Sequence, residues 1–70
     1  MKFGARNVID GKVVSLKKGN IMGQVTVEIP GGQRISSVMT VDSMEELNLK
    51  EDDSVQVIVK AINVLLAKER

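Results

Sequence analysis

Thr40 and Ser43 are the residues from which a binding chemistry can be built. They lie in Thr40-Val41-Asp42-Ser43-Met44-Glu45-Glu46-Leu47-Asn48-Leu49, the one segment with helical spacing. Met44, Leu47 and Val41 recur there at steps of three, with Glu45 and Glu46 on the other side. Asp42 followed three residues later by Glu45 has the form of a capping box, which predicts the N-cap at Asp42 and Ser43 as the first helical residue. At such a helix start, unpaired backbone N–H groups and the positive dipole end both favour an anion. Two hydroxyls flanking that end are donors, so the chemistry on offer is the holding of an oxyanion.

Catalysis is poorly served by contrast. The chain has neither histidine nor cysteine, which removes the usual general base, the thiolate nucleophile, disulfides and a Cys/His metal site. Asp10, Glu28, Glu45, Glu46, Glu51, Asp52, Asp53 and Glu69 read as solvated faces, caps and turns rather than a catalytic pair. An enzyme is not expected.

The segments that must position the corner read as strands. Val8 to Leu16 is β-rich, with Val13 and Val14 on opposite faces and Leu16 joining Val14. Lys17-Lys18-Gly19-Asn20 is a turn in which Gly19 is free to take positive φ. Ile21 to Ile29 alternates, with Ile21, Val25, Val27 and Ile29 on one face and Gln24, Thr26 and Glu28 on the other. Pro30-Gly31-Gly32 closes a hairpin, and Gln33 to Val41 is a third strand with Ile35, Met39 and Val41 in phase. After the helical turn, which ends near Asn48, Glu51-Asp52-Asp53-Ser54 is a second turn and Val55 to Val59 a fourth strand. Val55, Val57 and Val59 are in odd phase while Ile62, Val64 and Leu66 are in even phase. A bulge or corner must therefore fall between Val59 and Ile62, at Lys60-Ala61. The fold class expected is all-β, an OB-like five-stranded antiparallel barrel with one short helical turn.

Seventy residues make a single domain, 1–70, that buries only ~60% of its unfolded surface. Its core must come from Val, Ile, Leu and Met, because Phe3 is the sole aromatic. So small a chain without staples predicts self-association. Ten basic against nine acidic residues give a net charge of +1, which with one aromatic argues against nucleic acid as partner. No signal-like or membrane-length apolar run is present, so a cytoplasmic location and no membrane partner are expected. The alternative from another class is a small OB-like nucleic-acid or protein-interaction module.

Four segments together resemble a known family. Gly4-Ala5-Arg6-Asn7 is similar to the Ser-Ala-Arg-Asn signature of the molybdate-binding Mop, or TOBE, domains, and Gly11-Lys12-Val13-Val14 and Lys18-Gly19 continue the likeness. Residues 40–49 resemble that family's Thr-x-x-Ser helix segment, and Val59-Lys60-Ala61 its late Lys-Ala step. The likeness runs through nearly the whole chain, and a free-standing chain of this length is similar to a molbindin. This resemblance implies an oxyanion pocket between subunits, with Gly4, Ala5 and Arg6 from one chain and Thr40, Ser43, Lys60 and Ala61 from its neighbour. It also implies a hexamer built as a trimer of dimers, with molybdate or tungstate as ligand for storage or homeostasis. Further oxyanion sites near the threefold axis are implied, with the turn residues Gly19, Asn20 and Ile21 as candidates. Gly4 departs from the usual serine and loses a hydroxyl donor, and Asp52 stands at a turn position often held by glycine. A fully deprotonated dianion wants a pocket of donors only, supplied by hydroxyls, N–H groups, Arg6 and Lys60.

Overall fold

A computed structural model of the chain describes residues 7–69. Four strands, β1 (Asn7–Lys18), β2 (Met22–Glu28), β3 (Arg34–Thr40) and β4 (Ser54–Val59), form one antiparallel sheet in the order β3-β2-β1-β4. A single helix, α1 (Val41–Glu46), follows β3 directly. Val13, Val25, Val27 and Met44 are the buried core, and Leu16, Ile29, Met39, Leu49, Val55 and Val57 pack against them. Side chains from β1, β2, β3 and β4 thus converge on one interior, so the sheet is curled, with Met44 of α1 as its plug. The alternation expected in β2 is present from Gly23 onward: Val25 and Val27 point in, Gln24 lies exposed between Gly23 and Val25, and Thr26 and Glu28 are half-buried, whereas Ile21, expected on the inner face, precedes the strand and is 73% exposed.

Strand β1 departs from simple alternation. Val13 lies opposite Val27, but Ser15 lies opposite Thr26, so Val14 is an extra residue. This bulge shifts the phase, and Leu16 opposite Val25 joins Val13 on the inner face rather than Val14. Added curvature there lets one long strand serve two neighbours, β4 along its first half and β2 along its second.

The turns follow their sequences closely. Pro30 sets the first central position of the β2–β3 hairpin, Gly31 and Gly32 take φ of 98° and 85°, and the Gly32 N–H donates to the Ile29 carbonyl at 3.1 Å. Asp52 adopts φ 72° in the turn that the Asp53 N–H closes on the Lys50 carbonyl, while the Asp53 carboxylate accepts the Lys50 N–H at 2.9 Å. That turn is clamped to the bulge by the Val13 N–H donating to the Asp53 carbonyl and the Asp52 N–H donating to the Val13 carbonyl. Gly19 is not among the positive-φ residues. Glycine serves there because a Cβ would come within 2.9 Å of the Met22 carbonyl, which accepts the Gly19 N–H.

The expected fifth strand is absent among the described residues. The corner foreseen at Lys60-Ala61 exists, as a 3-10 turn over Ala61–Asn63. Beyond it the even-phase residues meet no ladder, and Ile62, Leu65 and Leu66 are 87%, 91% and 94% exposed. A period-2 segment becomes a strand only when it lies along a partner edge, and this one pairs with neither of the sheet's open edges, those of β3 and β4. The barrel is left open between β3 and β4, the two terminal strands of the sheet.

Candidate oxyanion site

The helix begins two residues earlier than its sequence suggests. Thr40, not Asp42, is the N-cap: its backbone is extended (φ −69°, ψ 149°) and its hydroxyl accepts the Ser43 N–H at 3.1 Å. The cap wins because a threonine three residues ahead of that N–H has the reach for it, and because β3 delivers Thr40 in an extended conformation. Asp42 falls in the first turn, exposed, where its charge suits the helix dipole without capping anything. At the far end Leu47 is the C-cap and Asn48 takes φ 51°. The Asn48 N–H donates to the Glu45 carbonyl and the Leu49 N–H to the Met44 carbonyl, a Schellman closure with Leu49 packed on the core beside Met44. Leu47, expected on the apolar face, is 64% exposed because it lies past the last turn.

Thr40 and Ser43 are thus brought together, with one distinction between them. The Thr40 hydroxyl donates to the Ser43 hydroxyl oxygen at 2.9 Å while accepting the Ser43 N–H. Its single proton is used inside the corner, and Ser43 keeps the O–H that is free to point outward. The Val41 N–H donates to the Ile21 carbonyl at 2.7 Å, which ties the helix start to the β1–β2 turn. Ile21, one of the three candidates for a second site, therefore adjoins this corner through its backbone carbonyl. The anchoring role of that carbonyl is invisible in the sequence, since a backbone acceptor leaves no residue signature. The first N–H groups of α1 thus have two partners in place, leaving that of Asp42 at the corner. No cationic side chain is paired with Thr40 or Ser43 among the described residues.

Lys60 and Ala61 lie elsewhere. Val59 pairs with Asn7, at the start of β1, whereas Thr40 pairs with Met22 beside Gly23, which pairs with Lys18 at the end of β1. Within one chain this register sets Lys60 toward the opposite end of β1 from Thr40 and Ser43. Lys60 and Ala61 are both exposed. Gly4, Ala5 and Arg6 fall outside the described residues.

The comparisons with known proteins agree with this architecture. Residues 4–66 match the model of the TOBE domain. Molybdenum-pterin-binding protein 1 of Clostridium pasteurianum is 44% identical over 66 residues, covering 94% of this chain and 97% of that protein. The structure of a molybdate-binding protein from Sporomusa ovata superposes with a TM-score of 0.91 at 29% identity, covering 97% of this chain and all of that one. ModG, described as a cytoplasmic molybdate-binding protein and solved with molybdate bound, superposes with a TM-score of 0.82 at 38% identity. That match takes in 87% of this chain and 43% of ModG.

Proposed function

The chain belongs to the TOBE-domain family, and from that premise we propose that it is a non-catalytic, self-associating protein that binds molybdate or tungstate between subunits. The observation that carries this reading is the Thr40–Ser43 hydroxyl corner at the start of α1, within a full-length likeness to small molybdate-binding proteins. Gly4, Ala5, Arg6, Thr40, Ser43, Lys60 and Ala61 are the residues we assign to the pocket. Gly19, Asn20 and Ile21 are our candidates for a second oxyanion site. No helix of the described chain is long and apolar enough to cross a membrane, and a cytoplasmic storage or buffering role fits this.

Selectivity follows from the donors. Backbone N–H groups, Arg6 and Lys60 donate and do not accept, and the Ser43 hydroxyl, whose oxygen already accepts from Thr40, has its proton to give, which suits an oxyanion with no proton of its own. Phosphate is partly protonated near neutral pH, and its P–OH would spend one oxygen as a donor in a shell made mostly of donors. Sulfate shares the charge of molybdate and differs in its shorter bonds, so pocket size must separate them. Tungstate, close to molybdate in size, is not excluded by either argument. A stacked pterin is disfavoured, since Phe3 is the sole aromatic residue.

Self-association is supported by the exposed Ile62, Leu65 and Leu66 and by the open barrel edge. A hexamer arranged as a trimer of dimers is the assembly we propose. The test is calorimetric titration with molybdate, tungstate, sulfate and phosphate, with the mass in solution measured alongside. Tight binding of the first two, weak sulfate and no phosphate is the expected result. No heat with any of the four would refute the reading and leave a small β module whose partner is a macromolecule.

A further inference from the structure

We propose, resting on the reading just given, that Met44 is a positioning residue for the oxyanion. Seated over Gly23, it sets how far Ser43 stands off the sheet, and with that the preference of the pocket for molybdate over sulfate. Met44 is the one buried residue of α1, at 1% exposure, and the chain neighbour of half-buried Ser43. Its thioether lies against Gly23, which pairs with Lys18 of β1 on one side and Met39 of β3 on the other. A Cβ at Gly23 would overlap the Met44 sulfur and lie 3.3 Å from its methyl carbon. The sulfur therefore fills the space that a side chain at position 23 would take. An unbranched, flexible methionine reaches into such a slot, and a shorter side chain leaves it empty.

Little else fixes the height of α1. The helix has six residues and rests on β2 and β3. The Val41 N–H bond to the Ile21 carbonyl, 2.7 Å, pins its first residue, and the Thr40 hydroxyl ties Ser43 to the end of β3. Both ties lie at the same end, so they leave the helix free to tilt about it. Leu49, which packs on the core past the C-cap, donates its N–H to the Met44 carbonyl and so moves with Met44. The depth of the Met44 seat is thus what stops the tilt. Sulfate and molybdate carry the same charge and differ in bond length, so telling them apart needs donors held to within ~0.5 Å. A change of one methylene in a close-packed seat is felt as a backbone shift.

Two substitutions move the seat in opposite senses. Met44→Val shortens the plug and lets α1 settle toward the sheet, away from the anion. Gly23→Ala fills the slot and lifts α1 toward the anion, which crowds the larger of the two dianions. Met44→Leu keeps the volume and is the conservative control. Calorimetry gives the molybdate Kd of each variant, and competition gives the sulfate Kd, at a temperature where circular dichroism shows the variant folded. The readout is the ratio of the sulfate Kd to the molybdate Kd, which a mere loss of folded protein does not change. A 1 Å misplacement costs a preorganised site up to ~100-fold, so a fraction of that should move the ratio about fivefold. Met44→Val is expected to raise it, Gly23→Ala to lower it, and Met44→Leu to stay within about twofold of the parent. If Gly23→Ala does not fold, the two Met44 variants decide alone. A parent ratio retained by Met44→Val would overturn the proposal and leave Met44 as core filling only. A ratio shifted as far by Met44→Leu as by Met44→Val would overturn it too, because the depth of the seat would not be what matters. A parent that gives no heat with molybdate would instead bring down the reading of the preceding section.

Discussion

Replacing Thr40 by valine should separate the structural part of the corner from its ligand part. Valine keeps the shape and β-branching of threonine but loses the hydroxyl that accepts the Ser43 N–H at 3.1 Å and donates to the Ser43 oxygen at 2.9 Å. Thr40 is exposed, so water partly replaces both bonds, and the loss is that of an N-cap, about 1 kcal/mol. A chain of 70 residues has only ~4–10 kcal/mol of stability, so the change is measurable. Urea unfolding at one fixed protomer concentration, with and without molybdate, gives both parts. The parent should gain ~2.7 kcal/mol at a molybdate concentration 100 times its Kd. Thr40→Val should be less stable by about 1 kcal/mol without the anion and should gain less on its addition, because Ser43 is no longer oriented. Thr40→Ser keeps both bonds and should match the parent in each condition. A valine variant as stable as the parent without molybdate would refute the capping argument. One that loses the cap energy yet gains the full molybdate increment would confine Thr40 to helix support.

Other consequences can be measured in the same way. Met44→Ala, which empties the plug of the curled sheet (Met44 is 1% exposed), should cost ~2–4 kcal/mol in urea unfolding. Gly23→Ala should also destabilise, since its Cβ would collide with the Met44 sulfur and lie 2.8 Å from the Lys17 carbonyl. Removing Met44 in the double variant relieves only the first of these, so the two costs should not add. Asp52→Gly should stabilise by about 0.5 kcal/mol by releasing the left-handed backbone at φ 72°, whereas Asp52→Ala should not. Leu66→Glu should lower the mass in solution while leaving the far-ultraviolet dichroism unchanged, because Leu66 is 94% exposed and touches no core residue of its own chain.

What could be read from the sequence is what local chemistry decides. The β2 strand and the Pro30-Gly31-Gly32 hairpin are fixed by alternation and by residues suited to positive φ, and both are present, with only Ile21 falling outside the inner face expected for it. The change of phase after Val59 required a corner, and a 3-10 turn supplies it. The Val14 bulge had no such sign. Val13, Val14 and Leu16 are all apolar, so the pattern does not say which of them faces inward, and the clamp from Asp52 and Asp53 that holds the bulge is a long-range contact. Sequence favours Asp42 over Thr40 as the cap because Glu45 stands three residues after Asp42, while Ser43 stands three after Thr40. Only the extended end of β3 decides between them. Ile62, Val64 and Leu66 alternate as a strand does, but pairing depends on lying along an edge, and this segment lies along neither β3 nor β4. The separation of Lys60 from Thr40 likewise belongs to register and not to residue type.

The tip of the β2–β3 hairpin offers a practical opening. A side chain added at Gly31 or Gly32 would meet nothing within 4 Å, and Glu28–Arg34 at this end is the full length of the ladder away from Met22–Thr40. Loop closure grows only by ~0.6 kcal/mol for each doubling of length. A peptide epitope or a fluorescent tag could therefore be spliced between Gly31 and Gly32 as a passenger. Its signal would report on the protein without disturbing the Thr40 corner.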